Sequence, residues 1–140
     1  MSVDFIDSNI FVYLFDETDR TKRETATALV EAAVESGSCV ISHQVVHEVL
    51  NVITRKLSVP VTTKDARLFF DHVLAPLWHI APSHELFRRS LQLKAKYSYS
   101  FYDSLIVAAA LEFGCRRLLT EDLQHGQRIE KLTIVDPFRS

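Results

Sequence analysis

Short apolar runs alternate along this chain with longer stretches whose apolar residues recur every three or four positions. Val3 to Ile6 is the first short run and reads as a strand. Asp7-Ser8-Asn9 follows, and the apolar Ile10 to Phe15 places a helix start near Asp7. Asp16 to Lys22 is polar and turn-like. From Arg23 to Ser36, the positions Ala26, Leu29, Val30 and Ala33 keep helical spacing, and Gly37 suits a helix end. Cys39-Val40-Ile41 predicts a second strand. Ser42 stands as the cap of a helix with the stripe Val46, Val49, Leu50, Ile53 and Leu57. Val59-Pro60-Val61 breaks that pattern. Thr62 or Thr63 caps another helix, with Ala66, Phe69, Phe70, Val73 and Leu74 inward, ending before Pro76. Trp78-His79-Ile80 predicts a third strand. Ser83 caps a helix through about Lys96.

The stretch Ser98 to Gly126 organises the rest. Ser100-Phe101-Tyr102-Asp103 has the S-x-x-D spacing of a capping box and predicts a helix start. From Leu105 to Phe113 that helix is apolar on nearly every face, which marks it as buried. Gly114 suits the residue just past its end, and Arg116 and Arg117 suit the negative end of its dipole. Arg117 to Thr120 then reads as an inner strand running into Glu121-Asp122. Leu132 to Val135 forms a last strand before Asp136-Pro137-Phe138.

Strand and helix thus alternate, which predicts an α/β fold around a parallel sheet. Right-handed crossovers put the strands' carboxyl ends on one edge, and ligands of such sheets sit outside that edge. Asp7 follows the first strand, Glu48 lies in the helix after the second, and Asp122 follows the fourth. Asp103 heads the helix packed beside them. All four acids are therefore able to reach one edge.

Composition narrows the class. The 140 residues are 47% hydrophobic, and no apolar run is long enough to span a bilayer. One domain over residues 1–140 is expected, with no basic-then-apolar leader at Met1-Ser2-Val3-Asp4. Cys39 and Cys115 lie in apolar surroundings and read as buried free thiols, consistent with a cytoplasmic protein. The net charge of −2 does not advertise nucleic-acid binding, so a phosphate-backbone partner must meet a local basic patch or a bound cation.

Convergence of the four acids would have a definite consequence. Two carboxylates about 5 Å apart repel by roughly 3 kcal/mol at an effective dielectric of about 20. A cluster of four needs protons or a cation. All-oxygen ligands select a hard ion, Mg²⁺ or Mn²⁺. Such an ion lowers the pKa of a bound water and neutralises charge on phosphoryl oxygens, which is the chemistry of a metal-dependent nuclease. Ser8 and Thr120 stand where they can hold the carboxylates or a water. Each acid also has a plain reading, as a helix cap or a solvated side chain.

The chain resembles the PIN-domain family, in particular the VapC-type toxin ribonucleases. The residues that carry the resemblance are Ile6-Asp7-Ser8-Asn9-Ile10, Ser42 to Leu50 with Glu48, Ser100 to Ala110 with Asp103, and Leu119 to Gly126 with Asp122. Val135-Asp136-Pro137-Phe138 is similar to an Asn-Pro-Phe ending, with Asp136 in place of Asn. The resemblance implies a three-layer α/β/α sandwich with a central parallel sheet of about five short strands. It implies Mg²⁺- or Mn²⁺-dependent cleavage of RNA, with catalytic and metal-binding roles for Asp7, Glu48, Asp103 and Asp122. Ser8, Asn9, Thr120 and Glu121 become supporting residues. A homodimer and a small VapB-like antitoxin complete what the family implies.

Other readings compete. His43 and His47 stand i, i+4 on a helix, but Asn51 occupies the second His position of an H-E-x-x-H motif, so a zinc site fails. No phosphate loop, dinucleotide fingerprint or serine elbow is present, and the chain holds three glycines. Lys94, Lys96 and Tyr99 precede Asp103 and are candidates for contacting RNA phosphate or a base. The basic pairs Lys22-Arg23, Arg55-Lys56, Arg88-Arg89 and Arg116-Arg117 read singly as solvated surface. A non-enzymatic alternative is a scaffold that binds a protein or RNA partner through its acidic pocket.

Overall fold

The computed structural model describes residues 2–139. Six strands form one sheet: β1 (Asp4–Ile6), β2 (Cys39–Ser42), β3 (Trp78–Ile80), β4 (Arg117–Leu119), β5 (Arg128–Ile129) and β6 (Leu132–Val135). Their order is β3-β2-β1-β4-β6-β5. Five strands are parallel, as the strand–helix alternation requires. The sixth, β5, lies antiparallel on β6 and exceeds the predicted five. Two residues carry no period, so nothing in the sequence pattern marks β5.

The helices flank this sheet. They are α1 (Ser8–Val12), continued by a 3₁₀ turn at Tyr13–Phe15, α2 (Arg20–Ser36), α3 (His43–Arg55), α4 (Thr63–Phe69), α5 (Ala75–Leu77), α6 (His84–Tyr97) and α7 (Phe101–Phe113). α2 begins at Arg20, three residues before the predicted start. The Asp19 carboxylate accepts from the Lys22 N–H at 3.0 Å and draws the polar segment into the helix. Thr62 caps α4 as expected. The helix does not stop before Pro76. A π-helical turn at Phe70–Leu74 leads into α5, where Pro76 occupies the first turn. Ser42 holds the cap position of α3, but its hydroxyl makes no cap bond and is buried without a partner.

α7 is the central helix. The Ser100 hydroxyl accepts from the Asp103 N–H at 3.1 Å, and Gly114 closes the helix with φ 82°. Every residue from Ser104 to Ala110 is buried. Burying Ile106 or Val107 contributes about 2 kcal/mol each, so packing holds this helix in place. Phe5, Ile6, Ile41, Leu118 and Ile134 supply the sheet's share of the core.

Topology sets the site. The chain winds from β1 outward through β2 to β3, then returns by α6 and α7 to β4 on the other side of β1. The winding direction therefore reverses between β1 and β4, and such switch points open a crevice at the strands' carboxyl ends. Register aligns those ends: Ile6 faces Leu119, and Leu119 faces Val135.

Candidate active site

Asp7 and Thr120 are the first residues beyond β1 and β4. Ladder bonds continue into them, Asp7 N–H to Leu119 C=O at 3.0 Å and Thr120 N–H to Val135 C=O at 3.0 Å. The Asp7 side chain is 4% exposed. Its Oδ1 accepts from the Ser8 N–H at 2.7 Å, so Asp7 does cap α1. Its Oδ2 accepts from the Thr120 hydroxyl at 2.8 Å. The cap reading and the site reading of Asp7 describe the same side chain.

Thr120 is fully buried, and one hydroxyl serves three partners. It donates to Asp7 and accepts from Asn9 Nδ2 and from the Asp122 N–H, both at 3.1 Å. Asn9 Nδ2 also donates to Asp122 Oδ2 at 2.9 Å. Ser8 Oγ donates to Glu48 Oε1 at 3.0 Å, which joins α3 to the strand ends. The second Glu48 oxygen accepts from Gln44 Nε2 at 3.3 Å. Asp7, Glu48 and Asp122 are thereby knitted together through Ser8, Asn9 and Thr120.

Asp103 is half-buried in the first turn of α7. Among the described residues no hydrogen bond or ion pair joins its carboxylate to the other three. The nearest link is indirect: Gln44 Nε2 donates to the Tyr102 C=O at 3.1 Å as well as to Glu48. Gln44 was not marked by sequence reasoning. Its one signal is the i, i+4 spacing to Glu48, which allows an amide–carboxylate bond on a helix.

Glu121 has a different partner set from its neighbour. It accepts from Tyr13 OH at 2.5 Å and from Lys22 Nζ at 2.9 Å. Lys22 also lies over the rings of Tyr13 and Phe138. This cluster ties the loop after β4 to α2 and fixes which of the two adjacent acids turns inward. Glu121 holds the Lys22 ammonium well above its ordinary pKa, and the Tyr13 hydroxyl is raised by burial. Neither Tyr13 nor Lys22 carries a signal in the sequence, because their partners lie about a hundred residues away.

Of the other candidates, Lys94 and Lys96 end α6, with Lys96 Nζ over the Tyr97 ring. The Tyr99 ring stacks on Tyr97 and its hydroxyl donates to Gln127 at 2.8 Å. His43 and His47 meet edge to face at 5.6 Å, a packing pair, with the His43 pKa lowered mainly by burial.

Electrostatics mark Asp7 as the unusual acid. Burial, with a smaller contribution from the neighbouring Glu48 and Asp122, pushes its carboxyl up to about 7 against the opposing bonds from Thr120 and Ser8. No Lys, Arg or His among the described residues pairs with Asp7, Glu48 or Asp122. Asn9 Oδ1 is a buried acceptor with no donor. An orphaned oxygen among uncompensated carboxylates fits a hard cation in donor chemistry. The described side chains form no ready group of three His, Cys, Asp or Glu ligands, so such an ion would keep several waters.

Solved structures share this fold. A toxin–antitoxin complex from Klebsiella pneumoniae contains a chain 21% identical, covering 96% of this chain and 97% of that one, with a TM-score of 0.69. Mycobacterium tuberculosis VapC20, described as a sarcin-ricin loop cleaving toxin, is 18% identical over 85% of this chain and 91% of its own, with a TM-score of 0.64. DNA-bound VapBC from Salmonella typhimurium is 16% identical over 98% and 99%, with a TM-score of 0.68. No curated protein sequence matches the chain. The family model described as PIN domain matches residues 5–130, a span that holds all four acids, and the chain belongs to that family.

Proposed function

We propose that this protein is a Mg²⁺- or Mn²⁺-dependent endoribonuclease and the toxin of a toxin–antitoxin pair. The observation that carries the reading is the group Asp7, Glu48 and Asp122, hydrogen-bonded together at the sheet's switch point without a basic counter-charge. The toxin–antitoxin setting of its structural relatives supports the biological role. A small antitoxin that covers the pocket, a homodimer, and a single nuclease domain over residues 1–140 belong to the same proposal.

Asp7, Glu48, Asp103 and Asp122 would hold the ion. When bound, the cation lowers the pKa of a water and neutralises charge on the phosphoryl oxygens. The chain's own residues set the geometry. Thr120 commits its proton to Asp7 Oδ2, and Ser8 commits its proton to Glu48 Oε1. Gln44 holds the other Glu48 oxygen and the first turn of α7, which sets how far Glu48 stands from Asp103. Water oxygen forms the new bond to phosphorus, the P–O3′ bond breaks, and the products carry a 5′-phosphate and a 3′-hydroxyl.

Purified protein incubated with total RNA tests the reading. Cleavage is expected with Mn²⁺, with 5′-phosphate ends, and none with EDTA. Asp103→Asn is expected to remove cleavage and leave the fold intact, with stability unchanged or raised. Unaltered cleavage by that variant would remove Asp103 from the machinery. A non-catalytic scaffold is the second reading, favoured by the missing link between Asp103 and the other acids. RNA or protein binding without cleavage under any divalent ion would support it.

A further inference from the structure

At the opposite end of the strands the charge reverses. Arg116, Arg117, Arg128 and Lys131 line one cavity of about 690 Å³, together with Asp4 and Thr133. Four cations against one carboxylate give this cavity a net of +3, on a chain of net charge −2. Strand register builds it. Arg117 faces Thr133 across β4 and β6, and Arg128 faces the same Thr133 across β5 and β6. Directly paired residues share a face of the sheet, so the two arginines lie in one row, two strands or about 10 Å apart.

Two acids lie near this row: Asp4 neutralises Arg117 within it, and Glu130 is engaged elsewhere. Asp4 is gripped by Arg117, with Nε to Oδ1 at 3.1 Å and Nη2 to Oδ2 at 2.5 Å. Glu130 occupies the turn between β5 and β6 at φ 54°. Both of its oxygens accept from Arg89 Nη2 of α6 at 2.7 Å. That ion pair fixes the hairpin and draws the turn's carboxylate away from Arg128 and Lys131. Among the described residues no carboxylate pairs with Arg116, Arg128 or Lys131.

We propose that this basic edge is a second RNA contact, binding backbone phosphates of a folded RNA whose scissile bond lies at the acidic pocket. The inference rests on the ribonuclease reading of that pocket and adds a contact surface at the far edge of the sheet. The guanidinium fork matches phosphate, and unpaired cations release counter-ions from a polyanion. The acidic pocket repels the same polyanion, and a basic surface elsewhere offsets that repulsion. α7 spans the two edges, running from a first turn that Gln44 links to Glu48, to Gly114, just before Cys115-Arg116. Thirteen helical residues measure about 20 Å, so a ligand that engages both edges must be at least that wide. A folded stem-loop meets this condition, and a single strand of two or three nucleotides, at about 3.4 Å per stacked residue, does not.

The test uses the full chain with Arg116→Gln, Arg128→Gln and Lys131→Gln combined. All three positions are exposed, and the melting temperature is expected to stay unchanged. A labelled RNA stem-loop is titrated in EDTA, where no cleavage occurs, over a range of salt. Binding at low salt is expected to weaken at least tenfold. The slope of log K against log salt is expected to fall by about two to three units, for three lost phosphate contacts. Mn²⁺-dependent cleavage of a single-stranded RNA of two or three nucleotides is expected to stay within about twofold, since that RNA never reaches the edge. An unchanged affinity and slope for the stem-loop would overturn the proposal. Equal losses with both RNAs would overturn it too, because the pocket itself would then be damaged. An unchanged RNA titration with weakened poly-glutamate binding assigns the edge to an acidic protein and overturns it likewise. If wild-type protein cleaves neither RNA, the ribonuclease reading falls, while the EDTA titration alone still decides whether the edge binds RNA.

Discussion

Replacing Asp7 by Asn will stabilise the metal-free protein at alkaline pH and abolish RNA cleavage. The wild-type carboxyl is pushed up to about 7 in the folded protein, from an ordinary value of 3.8. Between those values the folded state holds a proton that the unfolded state has released. Folding therefore becomes less favourable as pH rises through this window, and the loss is complete above about pH 7. Each unit is worth about 1.4 kcal/mol, so ionising Asp7 costs about 2 to 3 kcal/mol more at pH 8 than at pH 5. Asn carries no such penalty. The stability difference between variant and wild type is expected to widen in the variant's favour by that amount, as read by urea denaturation in EDTA. Divalent cation reverses the order, because it favours the ionised carboxylate. A constant difference between pH 5 and pH 8 would show that Asp7 ionises as an ordinary surface acid.

Thr120→Val will have the second large effect, in the opposite direction. Valine nearly reproduces the shape of threonine, so the change isolates the hydroxyl. That hydroxyl serves Asp7 Oδ2, Asn9 Nδ2 and the Asp122 N–H at once. Leaving a buried polar group unpaired costs about 1 to 3 kcal/mol, and Asn9 keeps its bond to Asp122 as partial compensation. A loss of about 2 to 4 kcal/mol in urea denaturation is expected, and Thr120→Ser is expected to restore most of it. The Thr120 bond is also one of two that hold the Asp7 carboxyl down. Its removal will raise the Asp7 pKa further and shift the pH window of the first experiment upward. A Val variant as stable as wild type would mean that the site does not depend on this hydroxyl.

Local chemistry was legible in the letters where partner and signal lie close in the chain. Ser100 caps α7 through Asp103, and Gly114 ends it in the left-handed conformation that its position suggests. Five parallel strands followed from short apolar runs separated by crossover helices. Asp7 was legible for the same reason, as a polar residue directly after a buried strand. Asp19 was missed as a cap because its segment looks like a plain polar turn until its carboxylate is seen on the Lys22 N–H. Pro76 misled because a π-turn shifts the helix around it. Glu121 and Asp122 were indistinguishable as letters; only Tyr13 and Lys22, far away in the chain, separate them. Gln44 stayed hidden because its function depends on Tyr102, 58 positions on. The basic row of Arg117 and Arg128 depends on β5, a strand too short to carry a period.

Calorimetric titration of Mn²⁺ into EDTA-stripped protein, wild type beside Asp7→Asn, reports directly on whether these carboxylates hold a cation. Saturable binding is expected in the wild type, with affinity at least tenfold weaker in the variant. Absence of binding to the wild type, or equal affinity in both proteins, would contradict a metal centre at the ends of β1 and β4.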